Sequence, residues 1–186
     1  MKIYEEPKKG WPYVLGGDTA GTGSDWFTGQ VLDNVTGRQV AVLRHQYDED
    51  LYARQMYCLG MMYNKALIGV EMNYSTYPVA MLTMMRYPKQ YLRKIPDRIG
   101  TKFKEAFGWN TTSLTRPLAI ADLVKVFREE PELIQDRQTL EEMRVFAYNE
   151  RYRPEAMAGE HDDLVMALAI AYAIREQQTE LPPKKE

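Results

Sequence analysis

Only one cysteine, Cys58, and two histidines, His45 and His161, occur in the 186 residues. A lone cysteine excludes an internal disulfide and a Cys-rich zinc site, and it fits a reducing compartment. With so few histidines, a metal site must be built mainly from oxygen, which favours Mg²⁺ or Mn²⁺ over zinc. The chain has no G-x-x-x-x-G-K-[ST] loop, so it is not expected to hydrolyse ATP. Long hydrophobic runs are also missing. The longest, Leu164 to Ala173, is about half a membrane span, and the N-terminus lacks a signal-peptide pattern. No membrane partner is therefore expected. None of the Ser or Cys residues is placed beside a His in the manner of a protein nucleophile.

What is present is ordinary in bulk and uneven in detail. Apolar content of 45% and charged content of 27% describe a soluble globular chain, long enough for one domain with a sizeable core. The net charge of −2 hides a basic stretch. Between Arg86 and Lys104 stand Arg86, Lys89, Arg93, Lys94, Arg98, Lys102 and Lys104 against a single acid, Asp97, with Tyr87, Tyr91 and Phe103 interleaved. Such a stretch reads either as a nucleic-acid surface or as the solvated face of a hairpin or helix.

Along the chain, residues 1–11 read as a tail or the end of a linker. The body runs over 12–178, with a basic insert or hairpin at 86–110, and 179–186 reads as a flexible C-terminal tail. Pro12 to Thr19 reads as a buried strand, Trp26 to Leu32 as a second, and Arg38 to Tyr47 as a third after the turn cluster Asp33-Asn34-Val35-Thr36-Gly37. Together they predict an antiparallel meander. Asp48 is placed to cap a helix reaching Tyr63. Ala66 to Val70 reads as a buried strand ending at Glu71, and Thr76 to Arg86 as a helix with Pro78 in its first turn. Thr115 is placed to cap a helix to Glu130, and Asp136 to Ala147 reads as another. Pro154 to Gly159 reads as a loop, and the last helix is expected from His161 to Gln177. This order predicts an α/β fold: a mixed central sheet of three antiparallel strands and then parallel ones, flanked by helices.

Three acidic positions carry the chemistry. Asp18 closes the first strand within Gly16-Gly17-Asp18-Thr19-Ala20-Gly21, where small neighbours permit close approach of backbone or phosphate. Glu71 closes a buried strand and needs a counter-charge, either a basic side chain or a metal. Asp162 and Asp163 open the Ala-rich helix after Gly159-Glu160-His161. Acids there favour the helix dipole, but two in succession exceed what a cap requires. The set reads as a two-metal hydrolase site, in which divalent ions about 3.5–4 Å apart clamp a scissile phosphate. For the acids to meet, the strands ending in Asp18 and Glu71 must be neighbours.

The motifs Gly17-Asp18-Thr19-Ala20-Gly21 with Asp25, Val70-Glu71-Met72-Asn73, Asn110-Thr111-Thr112 with Thr115-Arg116-Pro117, and Gly159-Glu160-His161-Asp162-Asp163 resemble those of one family. It is the C-terminal nuclease domain of the large terminase subunit of tailed bacteriophages, and the resemblance covers roughly residues 12–176. It implies an RNase H-like fold related to RuvC resolvases. It also implies metal-dependent endonucleolytic cutting of concatemeric viral DNA during genome packaging, in the host-cell cytoplasm. By the same resemblance Asp18, Glu71 and Asp163 are the catalytic, metal-binding acids, completed by Asp162, with two Mg²⁺ or Mn²⁺ ions as cofactors. Asp25, Asn73 and His161 are expected to support them. Arg86, Lys89, Arg93, Lys94, Arg98, Lys102, Lys104 and Arg116 are expected to contact double-stranded DNA, largely without regard to sequence. The implied partners are a packaging ATPase domain or motor, the portal and the small terminase subunit. Alternatives are a resolvase of branched DNA and a non-catalytic module that docks a motor to a portal. With no ATPase motif, the chain is expected to be an excised domain or a standalone product.

Overall fold

The computed structural model describes residues 1–19, 26–46, 48–96, 102–148, 154–156 and 161–183. A five-stranded sheet forms the centre, in the order β1-β4-β3-β2-β5. Strand β2 (Tyr13–Asp18) pairs antiparallel with β3 (Phe27–Asp33), and β3 pairs with β4 (Gln39–His45). These three strands are the expected meander. Strand β5 (Leu67–Val70) joins β2 in parallel, with Gly17 opposite Val70, after helix α1 (Glu49–Met62) has carried the chain across. The strands ending in Asp18 and Glu71 are therefore neighbours.

Because successive strand residues point to opposite faces, β2 feeds two cores. Tyr13 and Leu15 pack with Tyr52, Met56 and Leu59 of α1 and with Leu82 of α2 (Tyr77–Met84). Val14 packs on the other face against α5 (Asp163–Ile174) and α3 (Thr115–Glu129), through residues such as Leu168, Ile170 and Leu123. Helix α5 is buried on every side, as its uninterrupted apolar sequence requires. It lies directly on β2 at Gly16, where a Cβ would come within 2.3 Å of the Ala167 carbonyl oxygen and 2.4 Å of the Ala171 nitrogen.

Several expectations are corrected. Residues 1–11 do not simply trail away. Lys2–Ile3 forms the edge strand β1 against β4, and the Tyr4 N–H donates to the Val40 carbonyl at 2.8 Å. Lys2 Nζ and Tyr4 Oη each reach Asp136 Oδ1 at 2.7 Å. Asp136 is fully buried at the N-cap of α4 (Arg137–Arg144) and also accepts from the Thr139 N–H and hydroxyl. Asp48 occupies the N-cap of α1 without a side-chain hydrogen bond. Helix α3 begins at Thr115 itself, and its first N–H groups are capped by Thr112, whose hydroxyl accepts from the Leu114 and Thr115 nitrogens. Helix α4 stops at Arg144, because Phe146–Tyr148, a segment rich in aromatic strand formers, becomes a strand, β8. It pairs with β9 (Pro154–Ala156), where a loop was expected.

The basic stretch contains a two-stranded hairpin, β6 (Leu92–Pro96) with β7 (Phe103–Phe107). Its base is anchored: Tyr91 N–H donates to the Ile68 carbonyl at 2.7 Å, and Gln177 exchanges hydrogen bonds with the Leu92 backbone. Helix α5 ends in a short 3₁₀ turn, Arg175–Gln177. Beyond it Glu180 pairs with Lys89.

A chain of buried amides links the first residues to α5. Gln39 Oε1 accepts from the Asp136 N–H, Gln39 Nε2 donates to Gln30 Oε1, and Gln30 Nε2 donates to Thr139 Oγ1 at 3.0 Å and to the Leu164 carbonyl at 3.2 Å. Buried polar groups are costly unless satisfied, and here each amide satisfies the next.

Candidate metal centre

Asp18 ends β2, Glu71 follows β5, and Asp162 and Asp163 lie at the start of α5. The parallel pairing carries Glu71 alongside the end of β2: its N–H donates to the Gly17 carbonyl at 2.9 Å. The contact of α5 with Gly16 places Asp163, one helical turn before Ala167, over the same strand end. Asp18 and Asp163 are both buried.

The electrostatics follow from this crowding. Burial pushes the Asp18 carboxyl well above the usual carboxylate range. The charge of Glu71, a hydrogen bond with its carboxyl, and the charges of Asp163 and Asp162 raise it further. Tyr52 of α1 stands behind the pair. Its phenol is pushed far up by burial and by the charges on Asp18 and Glu71, and it donates to the Thr28 carbonyl at 2.8 Å.

The helix acids are held separately. Asp163 Oδ2 accepts from the Trp26 N–H at 3.2 Å and lies 3.5 Å from His161 Nδ1, while its carbonyl accepts from the Thr28 hydroxyl at 2.8 Å. Asp162 is paired with the guanidinium of Arg116, near the start of α3. The first turn of α5 is capped from α4: Glu142 accepts from the Leu164 N–H at 2.8 Å and faces Arg44 at 3.7 Å. Burial raises the Glu142 carboxyl to about 7.

Four of the expected residues thus share one neighbourhood, and His161 touches one of them. Arg116 joins them through Asp162, and others lie elsewhere. Asn73 does not support the acids; its side chain bonds both backbone groups of Thr111 and fastens that segment to the end of β5. Lys89 is engaged by Glu180, and Arg86 sits in the turn after α2 at φ 54°. Arg93, Lys94 and Lys104 lie on the hairpin, and Lys102 immediately precedes β7. Asp25 and Arg98 fall outside the described residues. Tyr52, the Trp26 N–H and Glu142 were not anticipated. Nothing in their spacing marks them, although an acid on α4 facing Arg44 could have drawn attention to Glu142.

Among the described residues, no group of three or more His, Cys, Asp or Glu side chains is arranged so that it could hold a metal ion as it stands. Each acid is instead engaged by protein groups. The donor set is nevertheless all oxygen, partly buried and mutually repelling, which is the chemistry that suits a hard divalent cation.

Neither a protein-family model nor a curated protein sequence matches the chain. Solved structures match it in fold. The large terminase nuclease from thermophilic phage G20c with bound magnesium aligns with a TM-score of 0.71 at 19% identity, over 92% of this chain and 85% of that one. The same nuclease with bound cobalt gives the same figures. The large terminase nuclease domain of Thermus phage P74-26 aligns with a TM-score of 0.65 at 21% identity, over 91% and 83%. The architecture is therefore the RNase H-like fold of large terminase nuclease domains, and the resemblance drawn from the sequence holds at the level of the fold.

Proposed function

We propose that this chain is a metal-dependent endodeoxyribonuclease that cuts concatemeric viral DNA during genome packaging. The carrying observation is the gathering of Asp18, Glu71, Asp162 and Asp163 at the ends of β2 and β5 and the start of α5. The metal-bound G20c nucleases of the same fold favour this over other uses of four crowded acids.

In this reading Asp18, Glu71 and Asp163 hold the cations, with Asp162 completing the set. Two Mg²⁺ or Mn²⁺ ions bound there would supply an activated water and neutralise charge on the scissile phosphate. The chain's own groups do the rest. The Trp26 N–H and His161 fix the orientation of Asp163, and Arg116 restrains Asp162. Tyr52 closes the back of the site with an apolar ring. The raised Asp18 carboxyl must be deprotonated to act as a ligand, which couples metal binding to proton release. Arg93, Lys94, Lys102 and Lys104 on and beside the hairpin would meet the phosphate backbone, giving salt-sensitive, largely sequence-independent binding.

Nicking of supercoiled plasmid in Mn²⁺ tests this. Cutting is expected in the wild type and lost in Asp18→Ala; a variant that still cuts would remove the acids from the mechanism. A preference for four-way junctions over linear duplex would move the assignment to a resolvase. The absence of cutting together with intact binding to a packaging motor or portal would make the domain a docking module.

A further inference from the structure

A hollow of about 650 Å³ opens between the hairpin and the start of α3. Tyr91 lies partly buried in it against Trp109, their ring centroids 5.8 Å apart. Arg93 and Lys94 stand on the hairpin side, Asn110 and Thr112 on the other, and no lining residue is acidic. The Arg93 Nε is shielded from solvent and has no hydrogen-bond partner among the described residues. A site that combines an aromatic ring, a cation on the same strand face and neutral hydrogen-bonding groups fits a ligand with a flat ring, a phosphate and polar ring edges.

The hollow adjoins the carboxylates. Trp109 bridges Glu71 in parallel, its N–H donating to the Val70 carbonyl at 2.8 Å and its carbonyl accepting from the Met72 N–H at 3.0 Å. It is thus one strand spacing, about 4.8 Å, from the acid-bearing strand. On the opposite wall, Thr115 directly precedes Arg116, the partner of Asp162. A DNA strand lying across the acids would reach this hollow within a nucleotide or two. Paired bases within a duplex keep their faces stacked on one another, whereas an unpaired base can lie on a protein ring.

We infer that this hollow receives an unpaired nucleotide of the strand being cut, its base against the partly buried Tyr91 ring and its phosphate at Arg93. The inference rests on the DNA-cutting reading and adds to it a preference for locally opened or overhanging DNA beside the cut.

The test uses the full chain in Ca²⁺ buffer with a fluorescently labelled short duplex, either blunt or carrying a single-stranded oligothymidine extension. Plasmid nicking is measured in parallel. The extended duplex is expected to bind about tenfold more tightly than the blunt one. Tyr91→Leu should reduce that ratio to about one. Arg93→Gln, at a partly exposed position, gives a second reading should Tyr91→Leu fail to fold, and it too should lower the ratio. Equal affinity of the wild type for both duplexes, with plasmid still nicked, overturns the inference and leaves the nuclease reading standing. A ratio unchanged in the folded variants overturns it as well. Loss of both binding and nicking in the wild type sinks the two together.

Discussion

Replacing Gly16 by alanine should both destabilise the protein and disable its acids. The added Cβ would lie 2.3 Å from the Ala167 oxygen and 2.4 Å from the Ala171 nitrogen, and both are backbone atoms of α5 that no rotamer change can move. Restoring an ordinary contact requires the helix to retreat by about 1 Å. Overpacking of this kind costs about 1–3 kcal/mol, and the lower unfolded-state entropy of alanine returns less than about 1 kcal/mol. A net loss of about 1–2 kcal/mol lowers the melting temperature by about 2–8 °C in a chain of this size. Asp163 rides on the first turn of the same helix, so it moves with it, and a misplacement of about 1 Å costs roughly a hundredfold in rate. Gly69→Ala is the comparator. Its Cβ would meet side-chain atoms of Ile174 at 3.0 and 3.2 Å, which can shift, so its effect should stay below about 1 kcal/mol. Thermal unfolding and Mn²⁺-dependent nicking per folded molecule read both consequences. If Gly16→Ala melts and cuts like the wild type, the close approach of α5 to β2 does not position the acids.

Asp18→Asn should abolish nicking yet leave the metal-free protein as stable or more so, because it removes a buried carboxyl that its neighbours repel; a lower melting point in EDTA would contradict this. The wild type, but not this variant, should be stabilised by Mn²⁺, by about 2.7 kcal/mol at a hundredfold excess over the dissociation constant. Glu142 has its folded carboxyl raised to about 7 from an ordinary 4.5, so its ionisation weakens the fold as pH rises through that window and is harmless below it. Glu142→Gln should therefore stabilise by about 2–3 kcal/mol at pH 8 and by little at pH 5, checked by urea unfolding at the two pH values. Asp136 is the reverse case. Burial opposes its charge, but hydrogen bonds from Lys2, Tyr4 and Thr139 hold its carboxyl below the usual range. Asp136→Ala should cost about 1–3 kcal/mol at neutral pH, since it uncaps α4 and removes the acceptor of the buried Thr139 N–H; a loss under about 0.5 kcal/mol would show that these bonds contribute little.

The sheet was legible because its cues are local and repeated. The turn cluster at 33–37 divides two apolar strands, and the short apolar run before Glu71 can only be a buried strand. The helix of acids was legible from its unbroken apolar sequence after Asp163. Two residues of β1 carry no period, and the three-residue strands β8 and β9 are too short to show one. Asn73 looked like support for the acids because it stands two residues from Glu71, but strand alternation and the Thr111 backbone determine where it bonds. Tyr52 carries no mark in the sequence beyond its place in the helix after Asp48. Only the packing of α1 under Gly17, where a Cβ would come 2.3 Å from the Tyr52 hydroxyl, puts its ring behind Asp18.

The buried amides running from Asp136 through Gln39 and Gln30 to the Leu164 carbonyl have a consequence at both ends. Lys2 and Tyr4 are tied to one end of that series, and the other end is the residue next to Asp163. The contacts of residues 2 and 4 thus end, through a continuous run of hydrogen bonds, within one peptide unit of a candidate ligand.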